Sequence, residues 1–284
     1  MGESEESRMS SFVDFCRIHG VEIDRLPDVG VWRRFRTTDK PMHRNGAVKY
    51  MGDHGFCQNH ATMVEVAVWR AEGDSREAAQ RVQAVANHAA QETLRAQQRA
   101  AEKAAQMLAE CELRQHPYLA AKGFPDERVN VNGELMLIPM RVGREVVGVQ
   151  TINADGDKKF LFGQRCSLAQ FVFSSTAPGA HIVCEGYATA LSIRQAMAAI
   201  KRPYTLHVCF SAGNMKKVAQ SLPGGFVVAD NDASGTGERI AKEIGWPYWM
   251  SDIVGEDAND YHQRKGLFPL SQGMQRLFLQ ARRQ

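Results

Sequence analysis

The sequence predicts an α/β fold built on a parallel sheet, and two observations carry that prediction. Residues 181–184 (HIVC) and 225–229 (GFVVA) are short apolar runs that read as buried strands, and each stops at an acidic turn of small residues. Helical segments at 187–200, 214–222 and 236–244 alternate with these runs, with a strand at 205–210 and with a short strand at 248–250, as βαβ units require. Glu185 follows the first run, and Asp230 and Asp232 follow the second, so all three acids are expected to leave one edge of the sheet. Ligands of open α/β sheets bind there, outside the carboxyl ends of the strands. Three converging carboxylates repel one another unless a divalent cation lies between them. Hard cations such as Mg²⁺ are held by one or two carboxylates, with waters and substrate phosphates completing the shell. The pattern therefore predicts metal-assisted phosphoryl transfer.

Two plainer readings compete with this one. Asp230-x-Asp232-x-Ser234-Gly235 also matches the start of a calcium-binding EF-hand loop, but the twelfth position is Ala241 where a bidentate Glu is required, and a strand precedes it instead of a helix. Taken singly, either acidic turn could be an ordinary strand end, since Asp, Asn and Gly are common turn residues. Their joint occurrence favours a site.

At 284 residues, with 24% charged and 44% hydrophobic residues, the chain can bury a substantial core and is expected to hold more than one domain. No apolar run approaches the roughly 20 residues of a membrane span, and the N-terminus, MGESEE, lacks the basic-then-apolar order of a signal peptide. A cytoplasmic protein is expected. Six cysteines without a regular framework suit a reducing compartment.

From the N-terminus, residues 1–72 read as a small α+β region with a hairpin through 46–57. The net charge is only +3, but 8–49 is rich in Arg and Lys, and the tail from Arg264 onward carries five basic residues and no acidic one. Such patches suit phosphate backbones. Arg33, Arg34 and Arg36 interleave with Trp32 and Phe35, a composition suited to single-stranded nucleic acid, although both aromatics could equally be core. Cys16-x-x-His19 and Cys57-x-x-His60 could supply four zinc ligands, with His43 and His54 nearby. The surroundings of Cys16 read instead as an amphipathic helix with the thiol in its core, so zinc is not expected.

Residues 74–114, rich in Ala, Gln, Glu and Arg and free of Gly and Pro, predict one long helix or a helical pair, with Asp74-Ser75 as its N-cap. Short strands separated by Gly- and Asp-containing turns follow at 135–140, 145–152 and 158–163, a compact mixed subdomain. Asn214 reads as an N-cap. Gly186, Gly213 and Gly235 are candidates for close backbone approach, or simple turn glycines.

EGYATALS (185–192), FSAGN (210–214) and VVADNDASG (227–235), in this order and with about 45 residues between Glu185 and Asp230, resemble the Toprim domain of topoisomerases, bacterial-type primases and some nucleases. They are most similar to the version in phage and plasmid primases. The segment from 116, with YLAAKG at 118–123, resembles the basic subdomain that precedes Toprim in bacterial primases; by that resemblance Lys158, Lys159 and Arg165 face template or nucleotide phosphates. The turn at 255–260 is similar to the one that ends Toprim in phage-type primases, which brings Asp260, with Asp257 beside it, toward the metals; capping of the next helix is the alternative. Bacterial replicative primases commonly carry an Asp four residues after the motif Glu, where this chain has Thr189.

The residues and the resemblance together give five segments: an N-terminal α+β region (1–72), a helical linker (73–115) and a basic tail (266–284) from composition, and the basic subdomain (116–178) and a Toprim catalytic domain (179–265) from the resemblance. The resemblance implies RNA primer synthesis on a single-stranded DNA template from ribonucleoside triphosphates, with Mg²⁺ or Mn²⁺ held by Glu185, Asp230 and Asp232, and a separate replicative helicase as partner. A Toprim nuclease acting on DNA or structured RNA is the alternative enzyme. A non-catalytic nucleic-acid-binding factor is the alternative outside enzymes.

Overall fold

Successive short strands, each paired with the next, give the first part of the chain an antiparallel sheet. The computed structural model describes residues 5–63, 65–71 and 76–281. The chain divides into two compact units, Met1–Arg95 and Ala96–Gln284. In the first, α1 (Glu5–Ile18) is followed by β1 (Val21–Glu22), β2 (Arg33–Thr37), β3 (Gly46–Tyr50), β4 (His54–Asn59) and β5 (Ala67–Arg70), paired in that order. The expected hairpin is β3 and β4, with Val48 opposite Cys57. Phe12 of α1 lies over Gly55, where any Cβ would collide with its ring, and joins Cys16, Phe35, Val48, Cys57 and Trp69 in one core.

Helix α2 (Arg76–Ala109) forms where the composition predicts it, though the proposed cap at Asp74-Ser75 lies outside the described residues. It stops short of 114. Residues 112–114 instead pair with a strand as β6 (Glu112–Arg114), an instance of tertiary pairing overriding local preference. After α3 (Pro117–Ala121) come β7 (Val129–Asn132), β8 (Leu135–Val142), β9 (Glu145–Ile152) and β10 (Lys158–Phe160), which complete an antiparallel sheet ordered β10-β9-β8-β7-β6.

The second sheet of this unit uses β11 (Phe171–Ser174), β12 (Ala180–Cys184), α4 (Tyr187–Ala199), β13 (Tyr204–Val208), α5 (Ala212–Gln220), β14 (Gly225–Val228), α6 (Thr236–Ile244), β15 (Tyr248–Trp249), α7 (Ala258–Lys265) and α8 (Leu267–Ala281). Its order is β11-β13-β12-β14-β15, parallel except for β11 at the edge. The strands are apolar on both faces because both are covered. Ile182, Leu206, Phe226 and Val228 face Ile193, Met197, Leu270 and Met274 of α4 and α8. Val183 and Val227 face Met215, Val218 and Ile240 of α5 and α6. The residues read as a basic tail thus include α8, whose apolar side closes the core. Among the described residues no helix is long and apolar enough to cross a membrane.

Candidate metal and phosphate site

Strands β12 and β14 are neighbours in parallel register, Val183 opposite Val227, so the residues just after them emerge side by side. The chain leaves β12 through Glu185 and β14 through Ala229 and Asp230. The expected shared edge is present. Glu185 is held from both ends. Its carbonyl accepts the Phe210 N–H at 2.9 Å, and its carboxylate accepts the backbone N–H of Ala212 in the first turn of α5. Burial pushes the Glu185 pKa up, the Ala212 hydrogen bond and the charge of Lys158 pull it back, and Asp232 adds to the rise. Phe210 sits at φ 67°, a conformation uncommon for a residue with a side chain.

Asp230 carries the strongest electrostatic perturbation of the three acids. Burial first, then the charges of Asp257, Glu185 and Asp232, push its pKa up to about 7, against the pull of Lys158. Its Oδ1 is buried and has no hydrogen-bond partner. A buried polar atom left in this way costs roughly 1–3 kcal/mol, more when charged, so a missing partner is implied.

Asp232, two residues on, is the opposite case. Its Oδ1 accepts from Ser234 N at 2.9 Å, from Thr236 N at 3.2 Å and from the Ser234 hydroxyl, and its Oδ2 accepts from Gly237 N at 2.8 Å. These bonds, the Ser234 hydroxyl first, hold its pKa down at about 2. The site thus has a floor, Glu185 and Asp230, and a rim, Asp232, tied to the start of α6.

The charge of Asp257 reaches the floor acid Asp230, whereas Asp260 pairs with Lys122. Asp257 caps α7, accepting from Asn259 N and Asp260 N, while its Oδ2 accepts from the Thr189 hydroxyl at 3.1 Å. Thr189 therefore engages an acid of the site from the position where an Asp is usual in bacterial replicative primases. Asp260 completes the capping box and forms a 3.1 Å ion pair with Lys122, the lysine of YLAAKG. The capping alternative for Asp260 is the arrangement observed. Both acids sit in the turn singled out from sequence, but the one whose charge reaches Asp230 is Asp257.

The cations come from the antiparallel sheet. Lys158 on edge strand β10 is close enough to lower the pKa of both Glu185 and Asp230. Lys159 alternates to the other side of the strand. Arg165 is half-buried, its Nε donating to Ser167 O at 3.3 Å. Arg33, Arg34 and Arg36 lie in the first unit, where with Arg25 and Arg44 they line a cleft of about 530 Å³. Phe35 between them is core, whereas Trp32 is exposed.

One expectation needs correcting, and the glycines fall to the turn reading at Gly213 and Gly235. Asn214 is not the N-cap of α5; Ser211 is, and the buried Asn214 side chain ties Leu168 N, Ala169 O and Cys209 O together. Gly213 has open space where a Cβ would stand, and so does Gly235, whose φ of 68° makes it a turn glycine. The close approach is at Gly237, where a Cβ would fall 2.1 Å from the Asp230 carbonyl oxygen. Gly186 caps α4 with a Cβ position 3.3 Å from the Thr189 hydroxyl. The signal for Gly237 was a second glycine two residues after Gly235, on the helix face turned back toward the acids.

Cys16 and Cys57, the two thiols whose spacing alone would suit zinc, are hydrogen-bonded to each other inside the first core, which pushes the Cys16 thiol pKa up. His19 stacks edge-on against Phe15. Among the described residues no three His, Cys, Asp or Glu side chains already stand as a metal-coordinating group. The floor nevertheless fits a divalent cation: it offers hard oxygen donors, excess negative charge and an unpartnered buried carboxylate oxygen.

Residues 180–267 match the family described as Toprim domain. No curated protein sequence matches the chain. Among solved structures it is similar to a chain of a bacteriophage T7 assembly in which the lagging-strand DNA polymerase interacts with primase domains of two gp4 subunits bound to an RNA/DNA hybrid and dTTP. That match has a TM-score of 0.41 and 14% identity, and covers 60% of this chain and 93% of the other. It is also similar to the primase fragment of the bacteriophage T7 primase-helicase, with a TM-score of 0.35 and 16% identity over 48% of this chain and 61% of that one.

Proposed function

From the premise that this chain carries a Toprim domain, we propose that it is a primase-like nucleotidyltransferase that makes short RNA primers on single-stranded DNA. The carrying observation is the buried, unpartnered carboxylate oxygen of Asp230 beside Glu185 and Asp257, with Lys158 of the antiparallel sheet acting on the same acids. Glu185 and Asp230, with Asp232 at the rim, would hold Mg²⁺ or Mn²⁺. Bound there, the cation supplies charge neutralisation at the reacting phosphate and acidifies the attacking hydroxyl. The reaction joins a 3′-hydroxyl to the α-phosphate of the next ribonucleoside triphosphate and releases pyrophosphate.

The chain's own groups position these parts. The Ala212 N–H orients Glu185, which also serves as proton acceptor once the hydroxyl approaches. Lys158 meets the triphosphate, and Lys159 and Arg165 hold template or nucleotide phosphates farther along the strand. Arg33, Arg34 and Arg36 bind template phosphates from the N-terminal region. Residues 1–72 serve as nucleic-acid-binding region, 73–115 as linker up to β6, which joins the sheet of the basic subdomain (116–178), and 179–265 as catalytic domain, whose core is closed by α8 of the segment 266–284. Unwinding is the task of a separate helicase.

The test is primer synthesis on circular single-stranded DNA with labelled ribonucleotides and Mg²⁺ or Mn²⁺. Short metal-dependent RNA products, lost in Glu185→Gln and Asp230→Asn, support the proposal. Degradation of the template without products would replace it with a Toprim nuclease, which the same acids could serve. Binding without either reaction would leave a non-catalytic replication factor.

A further inference from the structure

The turn that follows β10 exposes an aromatic ring on a backbone that is otherwise firmly fixed. Phe162 is 99% exposed, and Phe160, two residues earlier, is 44% exposed. An isolated exposed apolar residue needs no explanation, but this one sits on a turn anchored on all sides. Leu161 before it packs with Ala104, Leu137 and Val149. Gly163 after it adopts φ 76°, and a Cβ there would stand 3.0 Å from Ala96 of α2. The Gln164 side chain lies against Gly148 and accepts from Leu161 N at 3.2 Å and Val149 N at 3.0 Å. The contacts of Leu161, Gly163 and Gln164 thus fix the backbone on both sides of Phe162, and an anchored backbone lowers the entropic cost of using its ring.

Its neighbourhood is cationic and adjoins the acid site. Lys158 and Phe160 share one face of β10; Lys158 acts on Glu185 and Asp230, and the Phe160 ring meets Phe210 edge-on at 6.4 Å. Lys158, Lys159 and Arg165 form no ion pair among the described residues, whereas the nearby Asp157 accepts from Asn153. Phe162 lies four residue steps beyond Lys158, so at most about 14 Å of chain lies between them. Unpaired cations flanking exposed rings are the makings of a single-stranded nucleic-acid platform: the cations take phosphates, and the rings stack on bases.

We propose that Phe162, with Phe160 beside it, is a base-stacking platform for single-stranded nucleic acid running along the β10 edge. This rests on the nucleic-acid reading above and deepens it by assigning the contact that grips bases instead of phosphates. The contact is aromatic and therefore tolerant of sequence.

The experiment compares binding of a labelled oligothymidylate with an abasic oligonucleotide of equal length and charge, by fluorescence anisotropy on the full chain, alongside primer synthesis on the same preparation. Wild type binds the thymidylate about tenfold tighter than the abasic strand, as stacking of one base supplies. Phe162→Ala and Phe162→Leu remove that preference and leave abasic binding unchanged, while Phe162→Trp keeps it. A Phe162→Ala protein with undiminished preference overturns the inference and leaves a protein-docking role for the turn. Preference lost in Phe162→Ala, with wild type making no primers, upholds the platform and sinks the primase reading. Primers made by a wild type with no base preference do the reverse.

Discussion

Asp230 and Asp232 stand two residues apart on one turn, yet the protein treats their charges in opposite ways. The rim acid receives three backbone N–H groups and a hydroxyl, which hold its pKa down at about 2, while burial and the charges of Asp257 and Glu185 push that of the floor acid, which keeps one buried oxygen without a partner, up to about 7. The rim is complete within the chain; the floor is not. A fold that retains an uncompensated acid at the carboxyl edge of a parallel sheet is spending stability where a ligand must bind.

The largest effect that sharpens this contrast is on rate. Asp230→Asn or Glu185→Gln should lower RNA product formation by about 10³-fold, the several kcal/mol expected of a lost charge-stabilising contact, and Asp232→Asn should cost less. Single-turnover synthesis on primed template checks the order. Gly237→Ala comes next. Its methyl would run into the Asp230 carbonyl and displace the turn shared by floor and rim, costing about 2 kcal/mol in urea unfolding.

Stability should change with opposite signs at the two acids. Metal-free Asp230→Asn should gain about 1 kcal/mol at pH 8, where the native carboxylate is ionised against its neighbours. Asp232→Asn should lose about 1 kcal/mol, as when a helix-start cap is weakened. The pH dependence follows. Asp230 rises from an ordinary 3.8 to about 7 in the folded state. The folded chain therefore binds the extra proton between those values, so this contribution is full below 3.8 and is lost as pH rises through 7. Thermal melts across pH 4 to 8 should show that decline in wild type and not in Asp230→Asn. The smallest effect is that of Lys158→Ala, which should raise the Asp230 pKa further, as carboxyl NMR titration would detect.

Much of this was legible in the residues. Apolar runs ending in Glu185 and Asp230 are local signals, and they predict acids leaving one edge of a parallel sheet; that β12 and β14 are neighbours is a property of the fold. What escaped was decided by distant partners. Helix α2 ends early because residues 112–114 find β7, and α8 is core because Leu270 and Met274 meet the sheet. The roles of Asn214 and Gly237 depend on backbone atoms brought close only by the fold, and so does the division of the two acids of the turn, Asp257 acting on Asp230 and Asp260 pairing with Lys122.

The most direct test of the floor as a cation site is calorimetric titration of the nucleic-acid-free chain with Mn²⁺. The account predicts saturable binding that weakens at least tenfold in Asp230→Asn and less in Asp232→Asn. Binding equal in wild type and Asp230→Asn, or lost only in Asp232→Asn, would contradict it.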